Sequence, residues 1–215
     1  MERLAGGAAA GVMDHASAVR WWDGDGFVGA PAPASAVRIV GVRGQPDRAT
    51  ARRSIRSALL AALAEASGSP SSSIQLGGAP GEAPYALLDD GRRIALSISH
   101  DGDLSVAALR LDGGAVGIDV MQVTDVPDWQ AVARDYLGPA CAATLAGMPA
   151  FARAWSEREA RFKCRGLALT EWGACDESLL AACACLSLML PDGYAGSIAM
   201  LPDPFKPLRA ASTGS

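Results

Sequence analysis

Hydrophobic and polar positions follow two different periods along this chain, and the switches between them mark its elements. "AVRIVGV" at 36–42 is nearly all apolar and predicts a short strand. The period then turns helical. Ile55, Leu59, Leu60 and Leu63 form one apolar stripe, with Asp47 at a cap position before it and Gly68 where it stops, so the pattern predicts a helix over 47–67. Arg48, Arg52, Arg53 and Arg56 fill other positions of its first turns. "GSPSSS" at 68–73 and "GGAPGEAP" at 77–84 bracket a short linker strand. Alternation returns in "RIALSIS" at 93–99. "HDGD" turns the chain, "LSVAALRL" at 104–111 runs back, and "DGG" at 112–114 is a hairpin-type turn into a further strand over 115–121.

Helical segments follow over 128–137, 139–146 and 149–165. Pro139 and Pro149 sit in first turns, where proline is tolerated, and Gly138 and Gly166 act as stops. "LLAACACLSLML" at 179–190, the turn "PDG" and "YAGSIAML" read as a closing hairpin. Strand, helix, strands are thus followed by strand, helices, strands. The fold class is α+β, in two similar small halves over 36–112 and 113–202, with the boundary near Asp112 to Gly114. Residues 1–35, which include the Gly/Pro/Ala-rich "GDGFVGAPAPAS", are expected to be a flexible lead-in, and 203–215 a loose tail. The "GDG" lacks the strand-loop-helix context of a phosphate loop.

Composition narrows the function classes. The chain has 215 residues, half of them apolar, enough for a real core. A net charge of −4 gives no basic footprint for nucleic acid. No stretch is long or apolar enough to span a bilayer. The small-residue-rich start has a weak apolar run with mixed charges and does not read as a secretory signal. The five cysteines lack CxxC spacing and are expected to be free thiols in a reducing cytoplasm. Two histidines, His15 and His100, exclude a multi-histidine metal site. Of 19 basic residues only Lys163 and Lys206 are lysines, and Lys163 lies one helical turn after Glu159.

Three segments carry candidate chemistry. "SISHDGD" at 97–103 places Ser99 and His100 at a strand end. In "VGIDVM" at 116–121, Val116, Ile118 and Val120 point to one face of a strand, so Gly117, Asp119 and Met121 point to the other. An aspartate inside an apolar strand needs a partner, and a metal ion is one such partner. Trp155, Glu159 and Lys163 are spaced four apart and share one helix face. Each has an ordinary structural use on its own: a turn histidine, a hydrogen-bonded aspartate, an i,i+4 ion pair worth a few tenths of about 1 kcal/mol.

Together and in this order, "SISHDGD", "VGIDV" and "WSEREARFK" resemble the phosphopantetheinyl transferases, in particular their surfactin-type, pseudo-dimeric branch. That family's pattern runs (N/S)-x-S-H-S, then G-(I/V)-D-(I/V)-E, then W-(S/T)-x-K-E-(A/S)-x-x-K, and the likeness extends from the helix at 47 to "GLAL" at 166–169. The resemblance implies two α+β halves about a pseudo-two-fold axis with coenzyme A in the cleft between them. It implies transfer of the 4′-phosphopantetheine arm of coenzyme A to a serine of an apo acyl or peptidyl carrier protein, with release of adenosine 3′,5′-bisphosphate. Asp119 and Glu159 match the family's Mg²⁺ ligands. Glu159 also matches a base for the carrier serine, and Lys163 matches the lysine that steadies and protonates the leaving phosphate. An ammonium has a transferable proton and a guanidinium does not, which is a reason to keep lysine in an arginine-rich chain. Ser99 and His100 match residues on the coenzyme A phosphates. Arg48, Arg52, Arg53 and Arg56 are candidates for the 3′-phosphate grip, with Arg53 carried forward as the site residue.

The sequence also departs from the pattern. Met121 stands where the branch has a third carboxylate, and a thioether is a poor ligand for a hard cation. Arg158 replaces the lysine before the glutamate and can still grip phosphate, in bidentate fashion. "GEAPYA" at 81–86 takes the place of the family's G-(K/R)-P-x segment, and Ala83 supplies none of its basic contact, for which Arg92 or Arg93 is the candidate substitute. The implied partners are coenzyme A and an acidic carrier docking near Arg153, Arg161 and Arg165. The expected state is a cytoplasmic monomer, with no nucleic acid and no membrane. The alternative motivated by Met121 and Ala83 is a non-catalytic relative that binds coenzyme A or the carrier. An unrelated α+β protein is a third reading and predicts no coenzyme A binding.

Overall fold

The computed structural model describes residues 17–29, 35–79 and 81–201. Two sheets and five helices make a mixed α+β fold among them. The first sheet has six strands in the order β2–β3–β7–β6–β5–β4, formed by β2 (Arg20–Trp21), β3 (Val37–Arg43), β4 (Gln75–Gly77), β5 (Tyr85–Leu87), β6 (Arg93–Asp101) and β7 (Leu104–Arg110). The second has four in the order β1–β9–β10–β8, formed by β1 (Ser17–Ala18), β8 (Val116–Gln122), β9 (Ala184–Met189) and β10 (Tyr194–Met200). No helix among the described residues is long and apolar enough to cross a membrane.

Period-2 patterning decides which face meets what. In β7, Ala107 and Leu109 turn to one core with Val40, Val42, Ile94 and Leu96, and the helix α1 (Arg48–Ser67) covers that core with Ile55, Leu59 and Leu63. The alternate residues Leu104, Val106 and Ala108 turn to a second core with Val116, Ile118 and Val120 of β8 and Ile198 of β10. All seven residues of β7 are buried, as its nearly unbroken apolar run requires of a strand covered on both faces. Asp47 caps α1 by accepting from Thr50 N, and Gly68 ends it at φ 76°. The far face of β8 and β10 carries the helix α4 (Met148–Arg165), with Pro149 in its first turn and Gly166 at φ 64° behind it. Helix, sheet, sheet and helix thus stack in sequence. Arg110 clamps the junction between the sheets. Its guanidinium bonds Asp112, Ala115 O and Leu201 O, across the turn that passes the chain from one sheet to the other.

Several elements differ from the sequence expectation. Residues 17–21 do not belong to a structureless lead-in: β1 runs parallel to β9 and β2 parallel to β3, so this stretch edges both sheets. The rest of the lead-in over 1–16 and 30–34, and the tail from 202, lie outside the described residues. The strand β6 continues through His100 and Asp101, and the turn is Gly102 and Asp103. The short β5 was not marked by any pattern. The helix expected over 128–137 is α2 (Trp129–Val132) followed by a π-helical turn, Ala133–Leu137. The one expected over 139–146 is only α3 (Pro139–Ala142), because Thr144 turns both its amide and its hydroxyl onto Cys141 O. The front of the expected strand at 179–190 is helix α5 (Glu177–Ala181). Asp176 caps it through Ser178 N and Oγ, and this local capping outweighs the alternating pattern. Cys183 therefore precedes β9 instead of lying within it, and all five cysteines are free thiols.

Candidate functional site

The three singled-out segments meet at the ends of β6 and β8 and the middle of α4. Ser99 and His100 come from β6, Asp119 and Met121 from β8, and Trp155, Glu159 and Lys163 from α4, and all line one open pocket of about 400 Å³. The strand period puts Asp119 on the face of β8 that looks at α4, opposite the apolar face formed by Val116, Ile118 and Val120. The i,i+4 spacing on α4 does the rest. Lys163 Nζ lies 2.6 Å from Asp119 Oδ1, 3.2 Å from Ser99 Oγ and 3.8 Å from Glu159 Oε2. Ser99 Oγ donates to Asp119 Oδ1 at 2.7 Å. Trp155 Nε1 donates to Glu159 Oε1 at 2.9 Å, which fixes that carboxylate and leaves its other oxygen toward Lys163. The Trp155 ring is itself held edge-on by Tyr136 from the π-helical turn.

Charge in the pocket is set by burial. Asp119 is only 4% exposed, and loss of hydration pushes its carboxyl up to about 6; the Lys163 ammonium opposes that rise and the Glu159 charge adds to it. His100 is held below the ordinary imidazole range, first by burial and then by Arg48, Arg52 and Lys163. Its Nδ1 sits 2.6 Å from Ser105 Oγ. Arg48, Arg52 and Lys163, whose charges all act on His100, make the Arg48 side of the pocket electropositive, which suits an anion.

Not every expected site residue arrives. Arg53 is exposed on α1 and donates to Thr50 Oγ1, outside the pocket; Arg48, in the first turn, is the arginine that lines it. Arg158 is buried on another side of α4, where Nη1 and Nη2 both donate to Glu177 at 3.0 Å and the guanidinium lies over Phe162 and Trp172. Arg161 pairs with Glu157 on the same side of the helix. These pairs line a larger, mostly apolar hollow of about 590 Å³ whose charged groups are already matched. Sequence reasoning missed Asp101, which lines the site pocket, and Ser97, just below it; both lie in "SISHDGD", on the same strand face as Ser99. The period-2 rule was the signal that could have found them.

The donor set fits a hard divalent cation in part. Two carboxylates, Asp119 and Glu159, converge on one ammonium, and among the described residues no group of three His, Cys, Asp or Glu side chains gathers. Mg²⁺ is commonly held by one or two carboxylates with water and substrate phosphates, so two are sufficient chemistry for it. The chain matches no family model and no curated protein.

Proposed function

We propose that this chain is a Mg²⁺-dependent phosphopantetheinyl transferase, moving the 4′-phosphopantetheine arm of coenzyme A to a serine of an apo acyl or peptidyl carrier protein. The observation that carries the reading is the convergence of Asp119, Glu159 and Lys163 on one open pocket that also presents Ser99, His100 and Arg48. The proposal includes a pseudo-two-fold relation of the halves, supported by one sheet and one long covering helix in each, of 20 and 18 residues. It also includes a cytoplasmic monomer.

The chemistry follows from the residues. The carrier serine Oγ forms a bond to phosphorus, the bond from phosphorus to the bridging pyrophosphate oxygen breaks, and adenosine 3′,5′-bisphosphate leaves. Asp119 and Glu159 would hold Mg²⁺, which when bound neutralises the pyrophosphate and raises the electrophilicity of phosphorus. Glu159 Oε2, the oxygen left free by Trp155, accepts the serine proton. Lys163 Nζ gives a proton to the leaving phosphate oxygen, and the Arg48 side of the pocket holds the cofactor's phosphates. Arg153 and Arg165 on α4 are available for an acidic carrier, while Arg161 is engaged with Glu157.

The test is direct. Incubated with coenzyme A, Mg²⁺ and apo carriers from fatty acid, polyketide and peptide systems, the protein should add a phosphopantetheine mass to a carrier serine. No mass gain on any carrier, with coenzyme A still bound, would favour the binding-only alternative, which Met121 and the engagement of Arg158 by Glu177 support.

Two variants probe individual roles. Lys163→Arg keeps the charge but loses the transferable proton, and turnover should fall about a hundredfold, within the range of general acid–base contributions. Undiminished turnover would rule out proton donation from Nζ. Met121 lines the pocket on the Asp119 face, so Met121→Glu should tighten Mg²⁺ binding about tenfold by adding a third carboxylate, read by calorimetry. Unchanged affinity would place that side chain away from the cation.

A further inference from the structure

Among the described residues, the strand that presents Asp119 has an edge that no strand pairs. One edge of β8 bonds β10 from Val116 to Gln122. On the other edge, three side chains of β6 take the place of a neighbouring strand. Ser97 Oγ accepts from Ile118 N at 3.0 Å, Ser99 Oγ from Val120 N at 3.4 Å, and Asp101 Oδ2 from Gln122 N at 2.6 Å. The reason is topological. The backbone of β6 pairs β7 from Ala95 to Asp101 and β5 only from Arg93 to Ala95, and β8 belongs to the other sheet, packed against the face of the first, so β6 meets it through side chains. Residues 97, 99 and 101 share that face, and residues 118, 120 and 122 share the free edge, so the two period-2 repeats match rung for rung.

We infer that Ser97 and Asp101 are positioning residues for Asp119, holding β8 in register against β6 so that the carboxylate meets Ser99 and Lys163. The inference rests on the proposed function of the site. Ser97 is 4% exposed and does not line the pocket, so its effect on the site passes through the backbone of β8. Without its Oγ, the buried amide of Ile118 has no acceptor. The strand then shifts to find one, and Asp119, the next residue, shifts with it. Asp101 does the same from the other end, where its Oδ2 accepts from Gln122 N at 2.6 Å.

Mn²⁺ binding, read by electron paramagnetic resonance without coenzyme A, tests the geometry apart from turnover. Ser97→Ala should weaken Mn²⁺ binding about tenfold, in line with the loss of an outer partner of a metal ligand. Hydrogen exchange at Ile118 and Val120 should quicken in the same variant. Leu63→Val, in the core between α1 and the first sheet, provides a destabilised comparison remote from the site and should leave Mn²⁺ affinity unchanged. Unaltered Mn²⁺ affinity in Ser97→Ala, or an equal loss in Leu63→Val, would overturn the inference. Should Ser97→Ala not fold, Asp101→Ala removes the last rung and carries the same expectation. A wild-type protein that binds no Mn²⁺ would overturn the functional reading and this inference together. The exchange rate of Ile118 would still show whether the rung exists, which separates failure of the ladder from failure of the metal site.

Discussion

Asp119→Asn should lose carrier modification by about a thousandfold or more and yet unfold at a higher temperature than the wild type at pH 7, with divalent metal absent. The loss follows from removing one of the two carboxylates that can neutralise a pyrophosphate, a term worth about 10²–10³ in rate for a single electrostatic contact and more for a metal ligand. Glu159→Gln should lose activity comparably. The gain in stability follows from the raised carboxyl of Asp119, pushed up to about 6 from an ordinary 3.8, mainly by burial. Its sign can be worked out. The folded carboxyl holds its proton to higher pH than the unfolded one, so between pH 6 and pH 4 the folded state binds more protons and stability rises as pH falls. Above pH 6 both states are ionised, and the folded protein carries the full cost of a buried charge, about 2–3 kcal/mol. The amide carries no such cost. Wild-type thermal midpoints should therefore climb relative to Asp119→Asn as pH drops from 7 to 4. If the two proteins tracked each other across that range, Asp119 would not be ionised at a cost in the folded state.

A substitution expected to stabilise the fold while abolishing the proposed activity separates site residues from core residues, and the sequence carried much of that distinction. Aspartate inside an apolar strand was legible as a candidate because a buried carboxylate needs a partner. The Glu159–Lys163 pair was legible by its spacing, whereas the meeting of both with "SISHDGD" was expected only from the resemblance that the three segments carry together and in order. What was not legible depended on partners distant in sequence. Arg158 reads as a phosphate ligand from its place beside Glu159, but successive helix residues lie about 100° apart, and Glu177 on α5 captures it. Arg53 and Arg48 are equivalent on sequence alone; the packing of α1 brings only Arg48 to the pocket. The strand β1 could not be read because a two-residue strand has no period, and its pairing is with Leu188 and Met189 far along the chain. The helix at 177–181 hid inside an alternating run because capping by Asp176, a single hydrogen-bonding residue, outweighed the apolar pattern.

Gly117→Ala should be the most damaging single methyl addition to the described fold, and should take the site with it. A Cβ at Gly117 would sit 1.9 Å from Ala160 O and 2.4 Å from Cys164 N. Both are backbone atoms of α4, so no rotamer change can make room. The helix must lift off β8, opening the packing around Ala160, Cys164 and Ala199 and straining the buried contact of Ser156 Oγ with Ser197 Oγ. Overpacking in a core commonly costs about 1–3 kcal/mol, and an obstacle made of helix backbone puts this case at or above the upper end. The same displacement carries Glu159 and Lys163 away from Asp119, which stays with the sheet. The glycine of "VGIDV" is thus explained by close approach of a strand and a helix, one residue pair from the chemistry, and needs no contact with any ligand. The expected result is a thermal midpoint lower by several degrees together with a loss of Mn²⁺ binding in the fraction that still folds. Gly26→Ala, where an added Cβ meets nothing within 4 Å, should change neither. A Gly117→Ala protein with wild-type midpoint and wild-type Mn²⁺ affinity would show that α4 and β8 are not in contact as described, and the placement of all three charged residues would fall with it.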